Sequence, residues 1–499
     1  AALVLVGLAL GSTLYVADDV LQRMPHVQDS VAYLFQAKTF ALGRLSVPIP
    51  PDPDFFRHEF IVMHQGQWFS KYPPGWPMIL ALGVLAGAPW VVNPICAALG
   101  VLVIYRLGTE VFRPRVGVIA AALAVVSPFF LFLSGSMMSH ASGLLFALLF
   151  TWAFWHACQS KRPVLPATLT GLAFGAGFLI RPYTMIVIAI PFALYAAAQI
   201  GRRPEEALGR YLPAVLAAIP FVGAFLAYNA HFTGNPFYPP QQLWWAFDSV
   251  GFGPGHGPWG FTPIDALNNT SRNLLELVEH TYGWPEFLTL SFATIPFLTG
   301  RFRTWDWLFL ASFAALVGGY GLWWADGIMY GPRFYYEGLG FLVLLTARGI
   351  DVLLEIGRRG PRGAGERPRP EDRLLTRGRG AGWIAPLAVC AVTVCLIGFN
   401  VAFYFPGQWQ LYHGYNYVNH SKLDAVAKAG IHHALVFADV GQSFEWWEYG
   451  MVFSANDPLL EGDVIYARDL GAANDLKVTR DFPGRTSYRL DGTALTPLR

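Results

Sequence analysis

Long apolar runs alternate with short polar or glycine- and proline-rich breaks along most of this chain. Those at roughly 1–16, 83–104, 116–133, 141–158, 164–180, 184–200, 211–228, 287–300, 305–324, 334–354 and 382–405 are long enough, or nearly so, to cross a bilayer as helices. The pattern predicts a multi-span α-helical membrane protein with about 11 transmembrane helices over residues 1–405. The first run is short and the chain does not open on Met, so it reads as the remainder of a longer helix. No A-x-A-like site follows that would mark a cleaved signal peptide. After Tyr404 the period changes. K-L-D-A-V-A-K-A from Lys422 is helix-like, whereas the stretches from Ala434, Gly462 and Thr486 are strand-like. Residues 406–499 therefore read as a small α/β tail domain, near the lower size limit for an independent core.

Composition removes the soluble alternative: 54% of residues are hydrophobic, 14% are charged and the mean hydropathy is +0.39. The net charge of +2 says little, because the charges are segregated by side. Basic residues gather in the short loops from Tyr105, Ser160, Gly201 and Gly300, and in the Arg-dense segment 357–381. Basic loops stay cytoplasmic, and a Gly/Pro/Arg-rich segment is expected to be disordered against anionic lipid. The loops of the other side, 17–77, 229–287 and the turn Trp323–Pro332, are aromatic and poor in positive charge. With the amino terminus inside and an odd number of spans, the tail faces outward. Cys96, Cys158, Cys390 and Cys395 all fall in or at the ends of spans, so no exported disulfide framework is present. Of the 12 histidines only His156 lies toward the inner side, which places polar chemistry outside. No Walker A, H-E-x-x-H or G-x-S-x-G pattern occurs, which argues against an ATP-driven pump and against that type of serine hydrolase.

The first outer loop holds the most informative residue. Asp29 stands at the bilayer edge, just outside an apolar run, and a carboxylate held there is costly. It precedes a short amphipathic helix expected over 30–41, lying on the surface, with Asp29 as its N-cap; a purely capping Asp is the plain alternative. The second large outer loop is dense in Gly, Pro and aromatic rings, a composition that suits sugar rings or isoprenoid chains. His256 in G-P-G-H-G-P, and the cluster of His58, Glu59 and His64, are acceptor-side or metal-ligand candidates without a tight metal spacing. A divalent metal is thus open but not indicated.

Several motifs share this outer side in a fixed order. Q-D-S-V-A-Y-L-F-Q-A carries Asp29, Tyr33 and Ala37, and K-Y-P-P-G-W-P runs from Lys71 through Tyr72 to Pro77. Ser139–His140, Ile180–Pro182 and G-P-R-F-Y-Y-E, from Gly331 to Glu337, follow. Together they resemble the GT-C superfamily of polyprenyl-phosphate-sugar glycosyltransferases, in particular the bacterial branch related to protein O-mannosyltransferases and the aminoarabinose transferase. The resemblance covers roughly residues 1–350 and weakens in the tail. In that family the first outer loop carries an acidic pair; here Ser30 stands in the second place.

The resemblance implies an inverting transfer of a sugar from a polyprenyl phosphate to an acceptor hydroxyl, on the outer face of a bacterial cytoplasmic membrane. Asp29 would be the general base. Arg333, Lys71 and Arg181 would hold the donor phosphate, the arginines through their planar fork. Tyr33, Tyr72, His140, Tyr335, Tyr336 and Glu337, with His58, Glu59 and His256, are the substrate-binding candidates. Arg333 and Glu337 could alternatively form no more than an i, i+4 pair on one helix. The expected partners are the lipid-linked donor, a glycan, lipid or protein acceptor and membrane lipid; nucleic acid is not among them. A polysaccharide polymerase or ligase is the nearest rival, followed by a transporter of lipid-linked glycans, for which inverted repeats and mid-span polar residues are missing.

Overall fold

The computed structural model describes residues 1–285, 288–359, 384–439 and 445–498. Among them, six helices are long and apolar enough to cross a membrane: Ala2–Val20, Pro89–Phe112, His140–Gln159, Pro182–Arg202, Pro204–Thr233 and Ile384–Tyr417. The run expected at 116–133 is broken. Pro114–Val125 and Pro128–Gly135 meet at 61°, and counting the pair as one span makes seven. Pro128 ends the first piece, because it disfavours helix at the residue before it. Ser127 caps the second by accepting from the Phe130 amide. Shorter apolar helices are Gly75–Leu85, Val164–Ile180 and Leu288–Leu298. Outward positions such as Leu3, Leu82, Leu194, Leu216 and Val394 are exposed apolar side chains, as lipid contact requires. The chain is an integral membrane protein.

Close approaches are made at glycines. A Cβ on Gly171 would run into the Ala214 carbonyl, so the helices Val164–Ile180 and Pro204–Thr233 pack backbone to backbone there. At the basic end, Asp351 is buried and accepts from Arg113, Arg115 and Arg348, which ties the start of the helix Pro114–Val125 to the helix Leu339–Arg359. That explains how the run 334–354 tolerates Arg348 and Asp351. The basic loop 357–381 lies, from residue 360 on, outside the described residues.

The other end is built differently from its expectation. The helix α1 (Gln28–Ala41) is not a surface helix, since every residue from Asp29 to Ala37 is buried. One side of it, with Tyr33, Leu34 and Ala37, packs on the bundle. The other, with Val31, Ala32 and Phe35, packs under the tail. Val31 and Phe35 on one side and Tyr33 and Ala37 on the other leave no wholly polar face for water. The first loop adds strands β1 (Val47–Pro48), β2 (Ile61–His64) and β3 (Gln67–Ser70), antiparallel in the order β1-β3-β2.

The tail holds β4 (Ala434–Ala438), β5 (Val464–Arg468), β6 (Thr486–Asp491) and β7 (Ala494–Pro497), in the order β5-β4-β6-β7. β4 runs parallel to β5 and β6, and β7 is antiparallel at the edge. Its core is not its own: Phe56, Trp68 and Val31 join Leu435, Phe437 and Phe453 in one apolar cluster. Lys38, whose ammonium is pushed down to about 8 by burial, donates to the carbonyls of Ser454 (2.6 Å) and Asn456 (2.8 Å). Lys38→Met leaves both carbonyls unpaired and should cost about 1–3 kcal/mol. The expected result is faster hydrogen exchange at 454–456 and earlier proteolysis of the tail; unchanged protection there would show that Lys38 does not fasten it.

Candidate active site

The seam between the bundle and the outer loops encloses a cavity of about 350 Å³. α1 supplies its first wall. Val27 is the N-cap and Asp29 the second helical residue, so Asp29 is not the cap the sequence suggested. Its carboxylate is spent elsewhere. Oδ1 accepts from the Tyr72 hydroxyl at 2.6 Å, and Oδ2 lies 3.2 Å from Arg333 Nη1. Only 7% of Asp29 is exposed. Burial pushes its carboxyl up, but Arg333, the Tyr72 hydrogen bond and Lys71 outweigh that and hold it below the usual carboxylate range. The Tyr72 hydroxyl moves the other way, well above its ordinary value, through burial and the Asp29 charge.

Arg333 opens a 3₁₀ turn, Arg333–Gly338, rather than an α-helix. With three residues per turn, position 337 is rotated about 120° from 333 instead of stacking over it. The two therefore do not form the i, i+4 pair. Glu337 instead faces Arg181 at the junction of the helices Val164–Ile180 and Pro182–Arg202, with Arg181 Nε 2.9 Å from Oε1. Arg181 also donates to the Tyr320 hydroxyl (2.9 Å), to Ser139 Oγ (3.3 Å) and to His140 Nε2 (3.3 Å). An arginine only donates, so His140 Nε2 accepts and its Nδ1–H donates to Glu337 Oε1 at 3.1 Å. Gly143 makes room for this group, because a Cβ there would stand 2.8 Å from Glu337 Oε1. Tyr33 joins it through Ser139 Oγ at 3.2 Å and stacks near Tyr72, ring centres 4.4 Å apart.

Lys71 sits in a box of rings, its Nζ 3.8 Å from the centre of Phe60 and 4.5 Å from that of Trp245. Asp248 lies 3.5 Å from the same nitrogen, with both side chains buried. Burial pushes the Lys71 ammonium down, and Asp248 and Asp29 oppose it. Glu59 also lines the cavity, and burial pushes its carboxyl up.

The cavity thus gathers Asp29, Tyr33, Glu59, Lys71, Tyr72, Arg181 and Arg333, with His140 and Glu337 directly behind Arg181. Four expected residues are not brought to it. Tyr336 is buried in the bundle on Ser134 Oγ (2.6 Å) and the Phe130 carbonyl (3.2 Å), and Tyr335 packs near Phe313. His58 stacks on Phe453 beneath the tail, and His256 bonds Ser249 Oγ at 2.9 Å within its own loop. These side chains leave in other directions because the bundle takes up Tyr335 and Tyr336, the tail core takes up His58, and the second outer loop itself holds His256. Among the described residues no three His, Cys, Asp or Glu side chains cluster as metal ligands.

Sequence reading missed Asp248, Trp245, Trp323, Trp324 and Asp326, all of which line the cavity. Asp248 carried a usable signal, an acid at the end of the aromatic stretch W-W-A-F-D.

Residues 77–228 match the family described as dolichyl-phosphate-mannose-protein mannosyltransferase, a segment that includes Ser139–His140 and Arg181. The fold is similar to that of ArnT from Cupriavidus metallidurans in two crystal structures, one apo and one bound to undecaprenyl phosphate. In both the TM-score is 0.56 at 13% identity, covering 98% of this chain and 92% or 93% of the other. The archaeal oligosaccharyltransferase AglB from Archaeoglobus fulgidus aligns at a TM-score of 0.47 and 14% identity, covering 98% of this chain and 69% of that one. No curated protein matches in sequence. The resemblance read from the motifs holds: the chain has the GT-C fold.

Proposed function

We propose that this chain, a membrane protein of GT-C fold, moves a sugar from a polyprenyl phosphate to an acceptor hydroxyl, with inversion, on the outer face of a bacterial cytoplasmic membrane. One observation carries the reading: a buried carboxylate and a guanidinium, Asp29 and Arg333, 3.2 Å apart on the wall of a cavity that also holds Lys71 and Arg181. Asp29 takes the proton of the attacking hydroxyl as its oxygen bonds the anomeric carbon. The bond from that carbon to the phosphate oxygen breaks, and its electron pair leaves with the lipid phosphate. The phosphate gains a second negative charge in this step, so cations placed around it act most strongly in the transition state. Arg333 is the principal one, with Lys71 and Arg181 beside it. Tyr72 fixes the direction of the Asp29 carboxylate through Oδ1. The ArnT crystal structure that shares this fold is bound to undecaprenyl phosphate, a ligand of the class proposed here. The basic loops on the opposite side support an outward-facing cavity.

The test is release of free polyprenyl phosphate from a panel of polyprenyl-phosphate sugars by the purified protein in lipid nanodiscs, with and without candidate acceptors. Release is expected from at least one donor. Turnover only of pyrophosphate-linked glycans would instead support a polymerase, and no turnover of any donor would remove the proposal.

A further inference from the structure

Each of the three cations lining the cavity beside Asp29 already has an acid: Arg333 has Asp29, Lys71 has Asp248 and Arg181 has Glu337. A phosphate arriving in this site finds no unpaired cation among the described residues. One pair must give way, and the three differ in how they are held. Arg181 is bound by Glu337, Tyr320, Ser139 and His140 together. Lys71 is enclosed by Phe60, Trp245 and Tyr72 as well as by Asp248. Among the described residues Arg333 has a single ion-pair contact, at 3.2 Å, and beyond it only the Met329 sulfur at 3.6 Å and the ring of Phe334, over which it lies 5.4 Å from the centre. Its Nε is buried with no hydrogen-bond partner. A buried N–H left unpaired is costly, and a phosphate oxygen is the kind of acceptor that would satisfy it.

We infer that the site is self-locked by the Asp29–Arg333 pair, and that the donor's phosphate is the key: by taking Arg333 it frees the Asp29 carboxylate to accept a proton. This rests on the transfer reaction proposed above. Its consequence is a compulsory order in which the lipid donor binds before the acceptor is activated. Before donor arrives, Asp29 has both oxygens engaged, by Tyr72 and by Arg333, and the paired guanidinium offsets the negative charge that would draw a proton from an incoming hydroxyl. Once phosphate draws Arg333 away, Oδ2 is released while Tyr72 still fixes Oδ1. Deprotonation is thereby confined to the complex in which a leaving group is present.

Binding of undecaprenyl phosphate, with no sugar attached, tests this without turnover. Asp29 competes with phosphate for Arg333, so Asp29→Asn should bind the lipid at least about tenfold more tightly than the parent, the scale of one charged hydrogen bond. Removal of any nearby negative charge would tighten binding somewhat, and Glu59→Gln measures that background. Glu59 lines the same cavity and has no ion pair among the described residues. Tightening by Asp29→Asn well beyond that of Glu59→Gln, and its collapse to the Glu59→Gln level in an Arg333→Gln background, supports the lock. Equal tightening by Asp29→Asn and Glu59→Gln, or weaker binding by Asp29→Asn, overturns it while leaving the transfer reaction standing. Failure of the folded parent to bind undecaprenyl phosphate at all overturns both.

Discussion

Asp29→Asn should lower the rate of sugar transfer by about a thousandfold while the protein stays folded and binds donor. Positioned general bases contribute roughly a hundred- to ten-thousandfold, and Asn keeps the shape of Asp and its bond from Tyr72 but cannot take a proton. The measurement is single-turnover transfer with saturating donor, with thermal unfolding as the control for folding. A variant within about tenfold of the parent would place the base elsewhere, with Glu59, an acid of the same cavity that has no ion pair among the described residues, next in line. The pH dependence follows from the same environment. Asp29 is held below the usual carboxylate range, so the base is ionised at all ordinary pH values. The acid limb of kcat/KM should therefore lie below that range, with activity lost only as pH falls through it.

Arg333→Gln carries the second large effect, an expected loss of about a hundred- to a thousandfold in kcat/KM for the donor, as for the loss of one donor group at a developing anion. Arg333→Lys should recover only part of it, because an ammonium meets the phosphate as a point charge and lacks the fork. A second signature separates this role from a purely structural one. Among the causes acting on Asp29, burial is the largest and raises its pKa, and Arg333 is the largest that lowers it. Removing the guanidinium leaves burial less opposed. The folded-state pKa of Asp29 rises, so the residual activity should fail at a higher pH than in the parent. The sign is the same for stability: the contribution of the pair is present above the ordinary carboxylate pKa and lost as pH falls through the depressed one, and the variant lacks it. A residual acid limb that stays where the parent has it would separate Arg333 from the base, and kcat/KM within a few-fold of the parent would remove it from the phosphate site.

What could be read along the chain and what could not divide on physical grounds. Transfer of an apolar run into lipid is a local, nearly additive quantity. The runs at 83–104, 141–158 and 184–200 accordingly reappear in the helices Pro89–Phe112, His140–Gln159 and Pro182–Arg202. The cost of a charge at a bilayer edge is local too, and it singled out Asp29; the motif resemblance added Lys71, Arg181 and Arg333, and all four line one cavity. Pairing is not local. Asp29 and Arg333, or Arg181 and Glu337, are brought together only by helices that converge across the bundle, and the turn at Arg333–Gly338 being 3₁₀ rather than α is what separates Arg333 from Glu337. The same holds for α1, whose second apolar side had no visible partner until the tail strands closed over it, and for Tyr335, Tyr336, His58 and His256, which share motifs with the site but point into other packing. The sequence by itself determined that the chain spans a membrane and where several of its long apolar helices run, whereas about 11 spans were expected and six or seven helices among the described residues are long enough to cross. The tertiary structure alone decided which acid answers which base, because that depends on distances between segments that no pattern along the chain encodes.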